Sequence, residues 1–136
     1  MPLSLEDHLA IRELFSRYNY LVDVVGDAAG VADCFVEDGI YDHGRFGLFR
    51  GREEIQGLMQ RAVDEQLGYQ HWNNNLLIDG EGDEVTSTAY VLTLDGSVDP
   101  PVIARLSVVR DSIVRTSQGW RFRERRVGYP VTDFRQ

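Results

Sequence analysis

Apolar residues recur every three or four positions through the first half of the chain, then give way to runs rich in β-branched and aromatic residues. Ile11, Leu14, Phe15, Tyr18 and Val22 share one helical face, so an amphipathic helix is predicted from Leu5 to about Val24, ended by Gly26. Ser4 and Asp7 in front of it have the spacing of a capping box, with Asp in place of the usual Glu or Gln. DAAGVADCFVEDG predicts a short second helix, with Val31, Cys34 and Phe35 on one face, stopping before Gly39. GIYDHGRFGLF is strand-like but broken by glycine. GREEIQGLMQRAVDEQ predicts a third helix, whose stripe is Ile55, Leu58, Met59, Ala62 and Val63.

Strands are predicted near 69–79, 84–95, 102–115 and 120–130, divided by the turn-forming clusters DGEGDE, DGSVDPP and SQG. Helices first and a strand meander afterwards indicate an α+β fold. Three N-terminal helices cannot cover both faces of such a sheet. The expected architecture is therefore a cone-like α+β barrel: helices packed on a strongly curved, mainly antiparallel sheet that encloses a pocket, with helix one along its wall. No repeat or linker divides the chain, which reads as one domain over 1–136.

Composition narrows the function classes. A formal charge of -8, from 22 acidic against 14 basic residues, repels phosphate backbones and anionic lipid surfaces. The one basic cluster, RFRERR at 121–126, alternates along a predicted strand and reads as a solvated strand face, so neither nucleic acid nor membrane is expected as a partner. A single cysteine, Cys34, excludes an internal disulfide and gives no metal-binding spacing. The N-terminal MPLSLEDHLAIREL lacks the basic region and apolar core of a signal peptide, and no apolar run approaches the roughly 18 residues of a membrane span. The expectation is a soluble, cytoplasmic protein.

Several polar residues interrupt apolar patterns. Tyr18 lies on the apolar face of helix one, either as a core tyrosine bonded to a carbonyl or as a donor into the pocket. Asp23 is five residues on, about 140° around an ideal helix from Tyr18, at the margin of that face. In YQHWNNNLLIDG, an unbulged strand would put Tyr69, His71, Asn73, Asn75 and Leu77 on one face and Trp72, Asn74, Leu76 and Ile78 on the other. Both faces mix polar and apolar side chains, so the pattern does not say which points inward. Asp42 and Asp111 each break an apolar strand; Asp111 either pairs with an arginine such as Arg105 or Arg126 or sits protonated in a pocket. His43, beside Asp42, reads as a loop histidine facing water, and His8 as solvated. Asp42 and His43 would point to opposite faces of a strand, so they form no metal site.

RYNYLVD, VADCFVEDGIYD, GREEIQGLM, QHWNNNLLIDGEGDEV and VVRDSIVRTSQGWRFRERR, in that order and spacing, resemble the SnoaL-like branch of the nuclear-transport-factor-2-like superfamily. Within it the chain is similar to the dehydratases typified by scytalone dehydratase and the bile-acid 7α-dehydratase, with Tyr18, Asp23 and His71 at matching positions. The resemblance implies a cofactor-independent, metal-free dehydratase or isomerase acting on a small, mostly apolar cyclic or polyketide-like molecule. Asp23 would orient His71, the proton-transfer group, and Tyr18 would donate to a developing oxyanion. Asn73, Asn75, Asp42, Asp111 and Trp72 would contact substrate, and a homodimer is implied. Two positions depart from the pattern: Tyr129 stands where the bile-acid enzyme carries an arginine, and the second histidine of scytalone dehydratase has no counterpart by position. The superfamily also implies two alternatives. One is ketosteroid-isomerase-like proton transfer through Tyr18, Asp42 and Asp111; the other is a non-catalytic module resembling the small subunits of ring-hydroxylating dioxygenases.

Overall fold

Ser4 opens the first helix as its spacing from Asp7 predicts. In the computed structural model, which describes residues 2–65 and 68–129, the Asp7 N–H donates to the Ser4 hydroxyl at 3.1 Å and the Ser4 N–H to the Asp7 carboxylate at 3.3 Å. Arg115 and the Trp120 indole also donate to that carboxylate and hold it well below its ordinary range. One aspartate thus caps the helix and ties it to the far end of the sheet. Helix α1 spans Leu5–Tyr20 and buries Ile11, Leu14, Phe15 and Tyr18, the predicted stripe.

Beyond Tyr20 the helix does not simply continue. Leu21–Val25 form one π-helical turn, closed where the Gly26 N–H donates to the Leu21 carbonyl at 2.9 Å. Gly26 adopts φ 74°, a left-handed value that suits glycine at a helix end. Helix α2 covers only Ala28–Ala32, and α3 covers Gly51–Glu65 with Ile55 and Met59 buried. Gln66, the predicted end of α3, and Pro130, the predicted end of the last strand, lie outside the described residues.

Among the described residues six strands make one sheet: β1 Phe35–His43, β2 Gly47–Arg50, β3 Tyr69–Glu81, β4 Glu84–Asp95, β5 Val102–Thr116 and β6 Gly119–Tyr129. Their order is β2-β1-β6-β5-β4-β3, with β1 and β6 parallel and every other pair antiparallel. The sheet is curved but unclosed, with β2 and β3 as its edges among the described residues. The segment VEDG, expected to end the second helix, belongs instead to β1. Phe35 pairs with Phe122, and the Phe122 N–H donates to the Cys34 carbonyl at 2.8 Å. Pairing across the fold overrides the local helical spacing there. The core fills the concave side, where Phe15, Tyr18, Phe35 and Phe122 meet edge-on or tilted at centroid distances of 5.4–6.2 Å.

Two bulges decide which side chains face that concavity. In β3 the register shifts between Asn74 and Leu77, with Asn75 at φ 56° and its N–H bonded to the Asn74 side chain at 2.9 Å. His71 and Asn73 point inward before the bulge, and Leu76 and Ile78 after it, because one extra residue reverses the alternation. In β6 the shift falls opposite Ser112 and Ile113, so Phe122 and Arg125 both face inward although they are three residues apart. Among the described residues no helix is long and apolar enough to cross a membrane.

Candidate active site

The π turn carries Asp23 toward the inner face. Its i→i+5 bonding fits more residues into a turn, so each residue advances by less than the roughly 100° of an α-helix, and Asp23 swings back toward the side of Tyr18. There it meets β3, an edge strand whose outer N–H groups have no neighbouring strand among the described residues. The His71 N–H donates to Asp23 Oδ2 at 2.7 Å, and His71 Nδ1 lies 2.7 Å from Asp23 Oδ1. The carboxylate is nearly buried, at 6% side-chain exposure, while the imidazole is 34% exposed. A carboxylate only accepts, so Nδ1 carries the proton and Nε2 is the ring's free basic nitrogen. The Asn19 amide donates to Asn73 Oδ1 at 2.6 Å beside this pair.

Deeper in the concavity, a row of inward side chains crosses four strands in register: Tyr41 on β1, Arg125 on β6, Asp111 on β5 and Ser87 on β4. Arg125 grips Asp111 with two charge-assisted bonds, at 2.7 and 3.3 Å, and both side chains are buried. Its guanidinium also stacks 4.1 Å over Phe122, 4.5 Å over Tyr18 and 4.9 Å over Phe15. Burial pushes the Asp111 carboxyl up to about 6 against the pull of Arg125. The expected partners of Asp111 were Arg105 or Arg126; it is Arg125, because the β6 bulge turns that residue inward. RFRERR is therefore not a uniformly solvated face: Arg123 is exposed, whereas Arg125 anchors the core.

Burial raises the Tyr18 and Tyr41 phenols above their ordinary values, Tyr18 the more strongly. They are neutral donors. His43 faces inward two residues after Tyr41, not outward from a loop. It stacks on Tyr41 and Phe46, at centroid distances of 5.9 and 4.4 Å, and its Nδ1 accepts the N–H groups of Arg45 and Phe46 at 3.1 and 3.3 Å. Burial, Arg105, His71 and Arg45 outweigh Asp42 and lower its pKa to about 4. The ring lies against Gly128, at φ 82°, where a Cβ would come within 2.9 Å of His43 Cε1.

Tyr41, His43 and Arg125 line a cavity of about 980 Å³, within the range of small-molecule sites. Tyr18, Asp23, His71 and Asn73 all border it. Asp42 points to the outer face of β1, 3.6 Å from Arg126, and Asp111 is spent on Arg125; neither lines the cavity, so the isomerase-like trio does not assemble around it. Trp72 stands 58% exposed on the outer face of β3, and Asn75 shapes the bulge. Both were expected to touch substrate and do not border the cavity. The Tyr129 side chain lies outside the described residues, and among those described no three His, Cys, Asp or Glu gather to hold a metal ion. Sequence reading missed Tyr41, His43 and Arg105 as cavity residues. The alternation Tyr41–Asp42–His43 was a usable signal, since placing Asp42 outside puts both neighbours inside.

A family model described as a SnoaL-like domain matches residues 3–126. No curated protein matches the chain. Among solved structures, an NTF2-like protein with a cystatin-like fold from Novosphingobium aromaticivorans is 32% identical, with a TM-score of 0.80 over 90% of this chain and 80% of that one. A protein with a cystatin-like fold from Nostoc punctiforme is 25% identical, with a TM-score of 0.84 over 94% of each chain. A protein from Catenulispora acidiphila in complex with S-DNPA is 25% identical, with a TM-score of 0.76 over 90% of this chain and 92% of that one.

Proposed function

The chain belongs to the SnoaL-like domain family, and on that footing we propose that it is an acid–base enzyme that removes water from, or isomerises, a small and mostly apolar cyclic molecule. The observation that carries this reading is the Asp23–His71 pair at 2.7 Å with the imidazole open to a 980 Å³ cavity. His71 Nε2 takes a proton from a carbon beside a carbonyl, and Asp23 stabilises the imidazolium that forms. Tyr18, kept protonated by burial, donates to the enolate oxygen. In a dehydration the hydroxyl one carbon further on then leaves, and the imidazolium returns its proton so that water departs. Asn73 orients the ligand beside the dyad. Side chains supply every step, so the reading requires no cofactor. The relative that holds S-DNPA supports a small molecule as the occupant.

A β-hydroxytetralone is a direct test, since its loss of water leaves a fluorescent naphthol. Wild-type protein should release naphthol, and His71→Ala and Asp23→Asn should not, while keeping their circular dichroism spectra. Equal rates in all three would reject the dyad. Absence of turnover by the wild type, with the tetralone bound, would favour a ligand-binding module.

We further propose a homodimer through the outer face of the sheet. Trp72, Leu92 and Leu106 lie side by side across β3, β4 and β5, and Trp72, Tyr90 and Leu106 are 58%, 44% and 59% exposed. So contiguous an apolar surface is suited to a second copy. Light scattering should give twice the chain mass for the wild type and a monomer for Trp72→Glu; a monomeric wild type would overturn the assignment.

A further inference from the structure

The cavity has a second polar pole away from the dyad. His71 on β3 pairs with Thr93 on β4, and Thr93 pairs with Arg105 on β5, so histidine and arginine face the same concavity two strands apart, roughly 10 Å along the sheet. Arg105 borders the cavity, and among the described residues no carboxylate lies within ion-pair distance of it. His43 borders it too. With both turn N–H groups donating to Nδ1, the neutral ring keeps its proton on Nε2, and that N–H has no acceptor among the described residues. Two donors that border the cavity, one of them cationic, are thus left without acceptors among the described residues.

The ionic balance of the cavity points the same way. Its formally charged lining is Arg45, Arg61, Arg105 and Arg125 against Asp23 and Glu65, in a chain whose formal charge is -8. With Arg125 neutralised by Asp111, Arg45, Arg61 and Arg105 outnumber Asp23 and Glu65 by one positive charge around a cavity in an acidic protein. Such a pocket favours an anion over a neutral molecule of the same shape.

We propose that the ligand carries a carboxylate, held between the Arg105 guanidinium and the His43 Nε2–H, with its ring system spanning from that pole to His71. This rests on the reading of the cavity as a small-molecule site and adds the substrate class: an apolar cyclic acid whose reacting carbon lies roughly one to two ring widths from its carboxyl group. Arg105 and His43 are positioning groups here, binding the ligand without touching the reacting atoms.

Naphthoate and its neutral isostere naphthamide separate the possibilities by binding alone, followed by titration of amide NMR signals. Wild-type protein should prefer the acid by about tenfold or more, Arg105→Lys should keep the preference, and Arg105→Gln should bring the two within about twofold. His43→Phe should weaken the acid selectively, its fold checked by circular dichroism. Equal binding of acid and amide to the wild type, failure of both to bind, or an unchanged preference in Arg105→Gln would overturn the proposal. If His71→Ala rather than Arg105→Gln abolishes the preference, the anion sits at the dyad: this inference fails and the proton-transfer reading stands. A preserved acid preference with no dehydration of β-hydroxytetralones has the opposite meaning, leaving the anion pole and removing the enzyme.

Discussion

Asp23 receives two hydrogen bonds from His71, one from the ring and one from the backbone, each at 2.7 Å. One carboxylate therefore sets the tautomer of the imidazole and also closes an open N–H at the edge of β3. The two duties separate in the variants. Asp23→Asn keeps an oxygen for one of these bonds but loses the charge that stabilises the imidazolium, so turnover should fall by roughly two to four orders of magnitude. Asp23→Ala should additionally lose about 1–3 kcal/mol of stability, because the buried edge N–H loses its acceptor. Urea unfolding beside single-turnover rates distinguishes the two.

Asp111 and Arg125 should behave as a unit. Removing one partner leaves a buried charge alone, so Asp111→Ala should cost about 3–5 kcal/mol in unfolding experiments. The double replacement Asp111→Leu with Arg125→Met, which removes both charges, should recover most of that loss. A single replacement without effect would mean that the pair is hydrated in solution.

His43 predicts a pH dependence. Its folded pKa, about 4, is below its ordinary 6.5, so between those values the unfolded chain binds more protons. The stabilisation is complete above pH 6.5 and drains away as pH falls toward 4, reaching up to about 3 kcal/mol at ~1.4 kcal/mol per pH unit. Asp111 works against this, since a folded pKa raised from 3.8 to about 6 makes stability fall as pH rises through the same range. The slope of the wild type minus that of His43→Gln isolates the histidine, and a difference that stays flat from pH 4.5 to 7 would contradict its burial as a neutral ring.

Gly128→Ala should be costly although alanine is small. At φ 82° an L-residue is strained, and the new methyl would meet His43 Cε1 at 2.9 Å. A loss of about 1–3 kcal/mol in thermal unfolding, with displaced His43 ring signals in NMR, is expected. An unchanged melting temperature would show that the ring has room to move.

The helices and the late meander were legible because spacing and capping chemistry are local properties, whereas Tyr18, Asp23 and His71 were singled out together only through resemblance. Asp23 was ambiguous on an ideal wheel because the π turn that rotates it is made by tertiary packing. The faces of β3 were unreadable for a physical reason: two halves of the strand obey opposite alternation, and the bulge between them is written only as one Asn among three. The same effect hid Arg125, whose inward position depends on an irregularity opposite Ser112 and Ile113. Asp42 was assigned to the cavity through resemblance, although its place between two inward residues argued for the outer face.

The surplus residue at Asn75 also makes β3 modular. Substitutions in its first half, at His71 or Asn73, can retune the chamber without touching the hydrophobic seal formed by Leu76 and Ile78. Deleting that one amino acid would fuse the halves into a continuous ribbon, and only one of the two could then keep its orientation. The chain can explore new chemistry at one end of a strand while its other end preserves the fold.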